Sequence, residues 1–317
     1  MSSLMSTVDG RTRLAGTNRL EVLLFSLGTD TDSGREEVFG INVFKVREVM
    51  RVPEITRAPD MPDAIEGMTS LRGETVPIIN LQKFCGVPGE NKPGILIVTE
   101  YNKHVQGFLV HSVDSIHRLA WEDINVPPSM LANQHAGLIT AVTELPDHRL
   151  VMIMDVEKVL AETAGFYDDE SVFDGIGSSN KSDANILFVD DSSVARGQIR
   201  RTLEHMGLGF IATANGQEAW EMLEQLAEQA EDSGSKVADR INLVLTDIEM
   251  PEMDGYVLTR KIKGDTRFKG IPVVMHSSLS AEANQALGKD VGADAYIAKF
   301  EPRELAKTLE SLLNQGE

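Results

Sequence analysis

The chain has 317 residues, 42% hydrophobic and 25% charged, with 30 basic against 49 acidic side chains and a formal charge of -19. That length exceeds the roughly 250–300 residues at which one core usually divides into two, and the composition argues against a largely disordered, collagenous or coiled-coil chain. A negative field repels nucleic-acid phosphates and anionic lipid headgroups, while the single cysteine, Cys85, excludes an internal disulfide or a CxxC metal site and fits a reducing compartment. The N-terminus lacks the apolar run of a signal peptide, and no uncharged stretch approaches the ~18–20 residues that span a bilayer. A cytoplasmic protein with no membrane insertion is expected.

In chain order, residues 1–17 read as a tail. Apolar runs at 22–27, 43–50, 75–81, 95–99, 108–113 and 151–155 follow, separated by Gly, Pro, Asp and Asn. They are short, rich in Val and Ile, and show little 3.6-residue period, which predicts strands and a mostly-β domain over 18–165. Arg72-Gly73-Glu74, residues 86–89 and Val126-Pro127-Pro128 punctuate the runs through turn geometry or a missing N–H. A helix is predicted over 155–164, capped by Asp155. Residues 166–183 are acidic, Gly- and Ser-containing and poor in apolar anchors, the composition of a solvated linker.

From 184 to 317 strands and helices alternate. Strands are predicted at 186–189, 210–212, 243–246, 273–276 and 295–297, and helices at 193–206, 217–231, 256–263, 282–291 and 302–313. Such alternation specifies a doubly wound α/β domain with a five-stranded parallel sheet, whose ligands bind outside the carboxyl ends of the strands. The first strand ends in Asp190-Asp191 and the third in Asp247. Three carboxylates at one edge repel each other unless a cation sits among them, and oxygen-only ligation suits Mg²⁺, which points to phosphoryl chemistry. Ser277 and Lys299 end the fourth and fifth strands, where a hydroxyl and an ammonium could bind phosphoryl oxygens; Asp247 is the natural nucleophile. Met206, Trp220 and Met222 read as helix-face packing.

With the segment Asp247-Ile-Glu-Met-Pro251-Glu-Met-Asp254-Gly255, these residues resemble the response-regulator receiver domains of two-component signalling, a flavodoxin-like fold. The resemblance implies that Asp247 accepts phosphate from a histidine kinase. It also implies that Asp190, Asp191, Asp247 and the backbone carbonyl of Glu249 hold Mg²⁺, and that Lys299 contacts the phosphoryl group. Ser277 and Tyr296 match the family's switch positions. Phe300 departs from the pattern, which has proline joined by a cis peptide at that place. A cis bond before a non-proline costs ~2.5–4 kcal/mol, so the loop either stores strain or goes trans and shifts Lys299.

The β-rich half shows no paired carboxylates, HxxxH or Gly-rich phosphate loop. His104, His111, His117, His135 and His148 are scattered, which favours satisfied or solvated histidines over a metal centre. Residues 40–49, 67–81, 137–142 and 150–156 resemble the CheW family of chemotaxis coupling proteins. That resemblance implies two small five-stranded barrels that bind a chemoreceptor's cytoplasmic tip and the histidine kinase CheA, at arrays on the inner membrane face. Arg72 matches a position on the family's binding surface; otherwise it is a turn arginine paired with Glu74 or solvent.

A CheW-like domain followed by a receiver is the order found in the CheV family. The expected function is a non-enzymatic adaptor in which phosphorylation of Asp247 modulates receptor–kinase coupling, the receiver catalysing only its own phosphorylation and dephosphorylation. One alternative is a phosphate sink for CheA, localised by the β half. Another is a Mg²⁺-dependent aspartyl-phosphate phosphatase, although the acid two residues after the nucleophile in the pattern DxDx[TV] is here Glu249. A transcription factor would need a basic helix-turn-helix after the last helix.

Overall fold

The computed structural model describes residues 19–29, 31–32, 34–88, 93–101, 104–127, 138–164, 170–277, 288–299 and 301–315. They fall into two units, Arg19–Ala164 and Gly165–Glu317.

The first unit runs β1 (Arg19–Thr29), β2 (Glu36–Asn42), β3 (Val46–Arg51), β4 (Ile65–Leu71), β5 (Glu74–Asn80) and the single turn α1 (Leu81–Phe84). It continues through β6 (Ile95–Tyr101), β7 (His104–Val110), β8 (Ser112–Ala120), β9 (Ile124–Asn125), β10 (Ile139–Glu144), β11 (Leu150–Met154) and α2 (Val156–Ala164). Two sheets result, ordered β8-β1-β2-β11-β10-β9 and β3-β6-β7-β5-β4. The central strands β1 and β6 read as apolar runs because both of their faces are covered. On β1, Leu23, Phe25 and Leu27 enter one core while Leu20, Val22 and Leu24 enter a second. On β6, Ile97 enters the first core and Leu96 and Val98 a third.

The two expected five-stranded halves are thus sheets of six and five strands; the extra member, β9, has only two residues and leaves no run to read. Two other boundaries differ from expectation. Residues 43–45 form a 3₁₀ turn because the Asn42 side chain accepts a hydrogen bond from the Phe44 amide. The 108–113 run breaks at His111, whose N–H donates to Ser26 of β1. Asp155 caps α2, its Oδ1 accepting from the amides of Glu157 and Lys158.

The second unit comprises β12 (Asn185–Val189), α3 (Ser193–Met206), β13 (Gly209–Thr213), α4 (Gly216–Ser233), β14 (Leu243–Thr246), α5 (Gly255–Gly264), β15 (Val273–Ser277), β16 (Ala295–Ala298) and α6 (Pro302–Asn314). Its five strands are parallel in the order β13-β12-β14-β15-β16. One face of the sheet packs on α4 and α5, the other on α3 and α6. The caps explain why the helices start where they do: Ser192, Asn215 and Asp254 accept from the amides of Ala195, Glu218 and Val257. Gly207, in the left-handed region at φ 69°, stops α3. Most of the helix expected over 282–291, and Phe300, lie outside the described residues.

Part of the stretch expected as solvated linker packs on this second unit. Residues 170–173 form a 3₁₀ turn that buries Phe173, and Ser179 and Asn180 engage Glu310 of α6.

Candidate functional site

Parallel register aligns the strand ends. Val189 pairs with Thr213 on one side and Thr246 on the other, so Asp190 and Asp247 leave adjacent strands at the same level. Across β15, Ser277 pairs with Ala298, and the Lys299 N–H donates to the Ser277 carbonyl. Asp190, Asp191, Asp247, Ser277 and Lys299 therefore meet at one carboxyl edge, as the sheet rule requires.

The side chains confirm the convergence. Carboxylate oxygens of Asp190, Asp191 and Asp247 lie within 4.8 Å of one another. Lys299 Nζ stands 2.8 Å from Oδ2 of Asp190 and 2.8 Å from Oδ2 of Asp247. Asp190 and Lys299 are buried and Asp247 is 5% exposed, so one ammonium lies between two acids, beside a third, in a poorly solvated place. The remaining oxygens of two of the acids are also held. Asp190 Oδ1 accepts from the Ser192 amide at 3.0 Å, and Asp247 Oδ1 from the Ile248 amide at 2.7 Å. Lys299 thus points into the acid cluster.

Tyr296 sits beside this group, hydrogen-bonded to the Ser277 side chain; burial pushes its phenol up to about 12, against the pull of that bond. Glu249 is half-buried in the loop after Asp247 and its charge acts on both Tyr296 and Tyr256. Glu252, at φ 65°, is raised above its usual range by burial and by the charges of Glu218 and Glu221.

Three further residues shape the site. Arg196 donates from one guanidinium nitrogen to the carbonyls of Asp190, at 2.6 Å, and Asp191, at 2.9 Å, fixing the turn that presents both acids. Gly255 is needed for close approach, since a Cβ there would lie 2.1 Å from the Asp247 carbonyl oxygen. Tyr256 is 5% exposed, packed with Ile248, Met275 and Tyr296. Burial holds its phenol above the ordinary range. The Asp254-Gly255 pair was visible in the sequence; Arg196, six residues past Asp190, carries no local signal.

In the first unit Arg72 and Gly73 form the two-residue β4–β5 turn at φ 51° and 87°. Arg72 pairs not with Glu74 but with Glu48 of β3, at 2.9 Å, with its side chain 63% exposed. Arg47 takes Glu74 instead. Among the other histidines, His148 meets Glu144 and His117 meets Ser115; His135 and the His104 side chain lie outside the described residues. Cys85 is buried, its thiol pushed up to about 12 by desolvation. No described helix is long and apolar enough to cross a membrane.

Paired carboxylates, lysine and hydroxyl on a 2-1-3-4-5 parallel sheet define a receiver-type signalling domain. The response regulator receiver family matches residues 186–310, and the CheW-like domain family matches residues 21–164. The chain is similar to chemotaxis protein CheV3 of Helicobacter pylori, 31% identical over 286 residues that span 89% of this chain and 90% of that one. Similarity to CheV1 of the same organism is 25% across 99% of both chains. Chemotaxis protein CheW of Klebsiella aerogenes is 33% identical over 47% of this chain and 87% of its own length. The chain belongs to the CheV family of chemotaxis proteins: it is a coupling protein carrying a receiver domain, a signalling adaptor rather than a metabolic enzyme.

Proposed function

We propose that the CheW-like unit couples chemoreceptors to the histidine kinase CheA, and that phosphorylation of Asp247 modulates this coupling. The observation that carries the reading is Lys299 Nζ held between Asp190 and Asp247 beside a third carboxylate.

The donor set fits Mg²⁺: three clustered carboxylates supply hard oxygens and no sulfur or imidazole. Asp190, Asp191, Asp247 and the backbone carbonyl of Glu249 would hold the ion, which supplies charge neutralisation for phosphoryl oxygens. In the transfer, an Asp247 oxygen attacks the phosphorus of a phosphohistidine as the P–N bond breaks. An aspartyl phosphate forms, and the imidazole leaves with the electron pair and takes up a proton. Lys299 is close enough to follow the charge from carboxylate to phosphoryl oxygen, and the Ser277 hydroxyl can donate to a second oxygen. Moving Ser277 changes the partner of Tyr296, which makes that ring the first residue to register the event. Arg72, exposed on a tight turn, is the proposed partner-binding residue of the β unit. Recruitment to receptor arrays at the inner membrane face follows from those partners.

Incubation with phosphorylated CheA and Mg²⁺ should label the wild type and leave Asp247→Ala unlabelled; equal label on both overturns the site. Receptor–kinase assays with the same variant separate a modulated adaptor, whose coupling changes, from a phosphate sink, whose coupling does not. Arg72→Ala should weaken coupling while preserving label transfer.

A further inference from the structure

Residues 170–181 reach two helices at once. Phe173 is 3% exposed. Its ring stacks on His205 at 5.1 Å and 9°, with the Arg201 guanidinium 4.5 Å from its centroid. Glu170 pairs with Arg201, and the Ser179 N–H donates to the Met206 carbonyl at 2.7 Å, so this end of the segment closes over the C-terminal end of α3. On α6, Arg303 donates to the Ser171 carbonyl at 3.2 Å. Glu310 accepts from the Ser179 hydroxyl and from the backbone and side chain of Asn180. The Ser179 bond leads in holding the Glu310 carboxyl below its usual range. Ile176 joins the core that α3 and α6 share through Ile199, Leu203, Leu305 and Leu309.

Both of those helices are tied to the site. The first turn of α3 holds the carbonyls of Asp190 and Asp191 through Arg196. The start of α6 follows Lys299 by three residues. A change in what Lys299 and the two acids bind therefore acts on the relative seating of α3 and α6, the seating that Phe173, Ser179 and Asn180 bridge.

We propose that residues 170–181 are a strap coupled to the Asp247 site: loading of the site changes the strap's hold on α3 and α6, and docking of the strap changes the site's affinity for a phosphoryl group by the same factor. The inference rests on the phosphoacceptor reading above. It makes the segment between the two family domains a reporter of receiver state rather than a passive spacer.

The test uses the full chain with beryllofluoride and Mg²⁺ as the phosphoryl stand-in. Binding is followed by calorimetry and the fluorine resonance, and amide hydrogen exchange of residues 170–181 by mass spectrometry. Loading should change strap exchange by about fivefold or more, and Phe173→Ala should change the affinity for beryllofluoride by a matching factor. The combined Ser179→Ala and Asn180→Ala variant, which leaves the buried ring in place, should shift the affinity in the same direction. Full loading with unchanged strap exchange and unchanged affinity in both variants would reduce the strap to packing and overturn the proposal alone. Failure of the wild type to bind beryllofluoride, with Asp247→Ala as the reference, overturns the phosphoacceptor reading and takes the strap proposal with it.

Discussion

At the scale of single residues, the Lys299 ammonium offsets the mutual repulsion of Asp190 and Asp247. Asp191 is half-buried and lies within 4.8 Å of the other two carboxylates. Asp191→Asn removes a like charge, so without divalent ions it should raise stability by about 1 kcal/mol and abolish stabilisation by Mg²⁺. Urea midpoints in EDTA and in MgCl₂ check both halves of this expectation. Gly255→Ala acts on the same loop from behind, since its Cβ would meet backbone that has nowhere to go, 2.1 Å from the Asp247 carbonyl oxygen. A loss of about 1–3 kcal/mol is expected, with slower label transfer as the acceptor is displaced. An unaltered melting point for Gly255→Ala would show that the loop can yield.

At the scale of elements, Glu66 of β4 ties three pieces of the first unit together through Arg57, Asn80 and Lys83 of α1. Burial works against its charged form, but hydrogen bonds from Lys83, Asn80 and Arg57 outweigh it and bring the carboxyl down to about 2. A depressed folded value means the contribution is fully present above the unfolded value of about 4.5 and fades as pH falls toward about 2. After allowance for solvent screening it is on the order of 2 kcal/mol. Glu66→Gln should flatten the pH dependence of the urea midpoint across that window, and an unchanged slope would show the network to be idle. Elements of this kind were unevenly legible. The sequence announced α3 and β14 to the residue because Ser192 and Gly207 mark the ends of the helix, and the strand Leu243–Thr246 lies between the polar Asn242 and Asp247. It hid the 43–45 turn, where a side-chain cap from Asn42 interrupts an otherwise strand-like run. It hid the strap too, because Phe173 and Ile176 are isolated among acidic and small residues and acquire their meaning only from the helices they touch. In the site, strand ends and the sheet rule sufficed to gather the acids. The double engagement of Lys299 and the grip of Arg196 on two carbonyls are tertiary facts with no linear signature.

At the scale of the whole chain, two units with separate cores are expected to unfold as two transitions in calorimetry, and Mg²⁺ should raise only the one that belongs to the receiver. A single transition displaced as a whole by the ion would mean that the units melt together. The net charge of -19 adds a second lever. Self-repulsion is screened over about 10 Å at 0.1 M salt, so both transitions should move up modestly as monovalent salt increases, independently of the divalent effect.

The amine lodged between Asp190 and Asp247 sets what an incoming cation competes with. On the proposed loading, a divalent ion arriving there displaces a resident positive partner instead of entering an empty seat, so its net gain is the difference between two attractions.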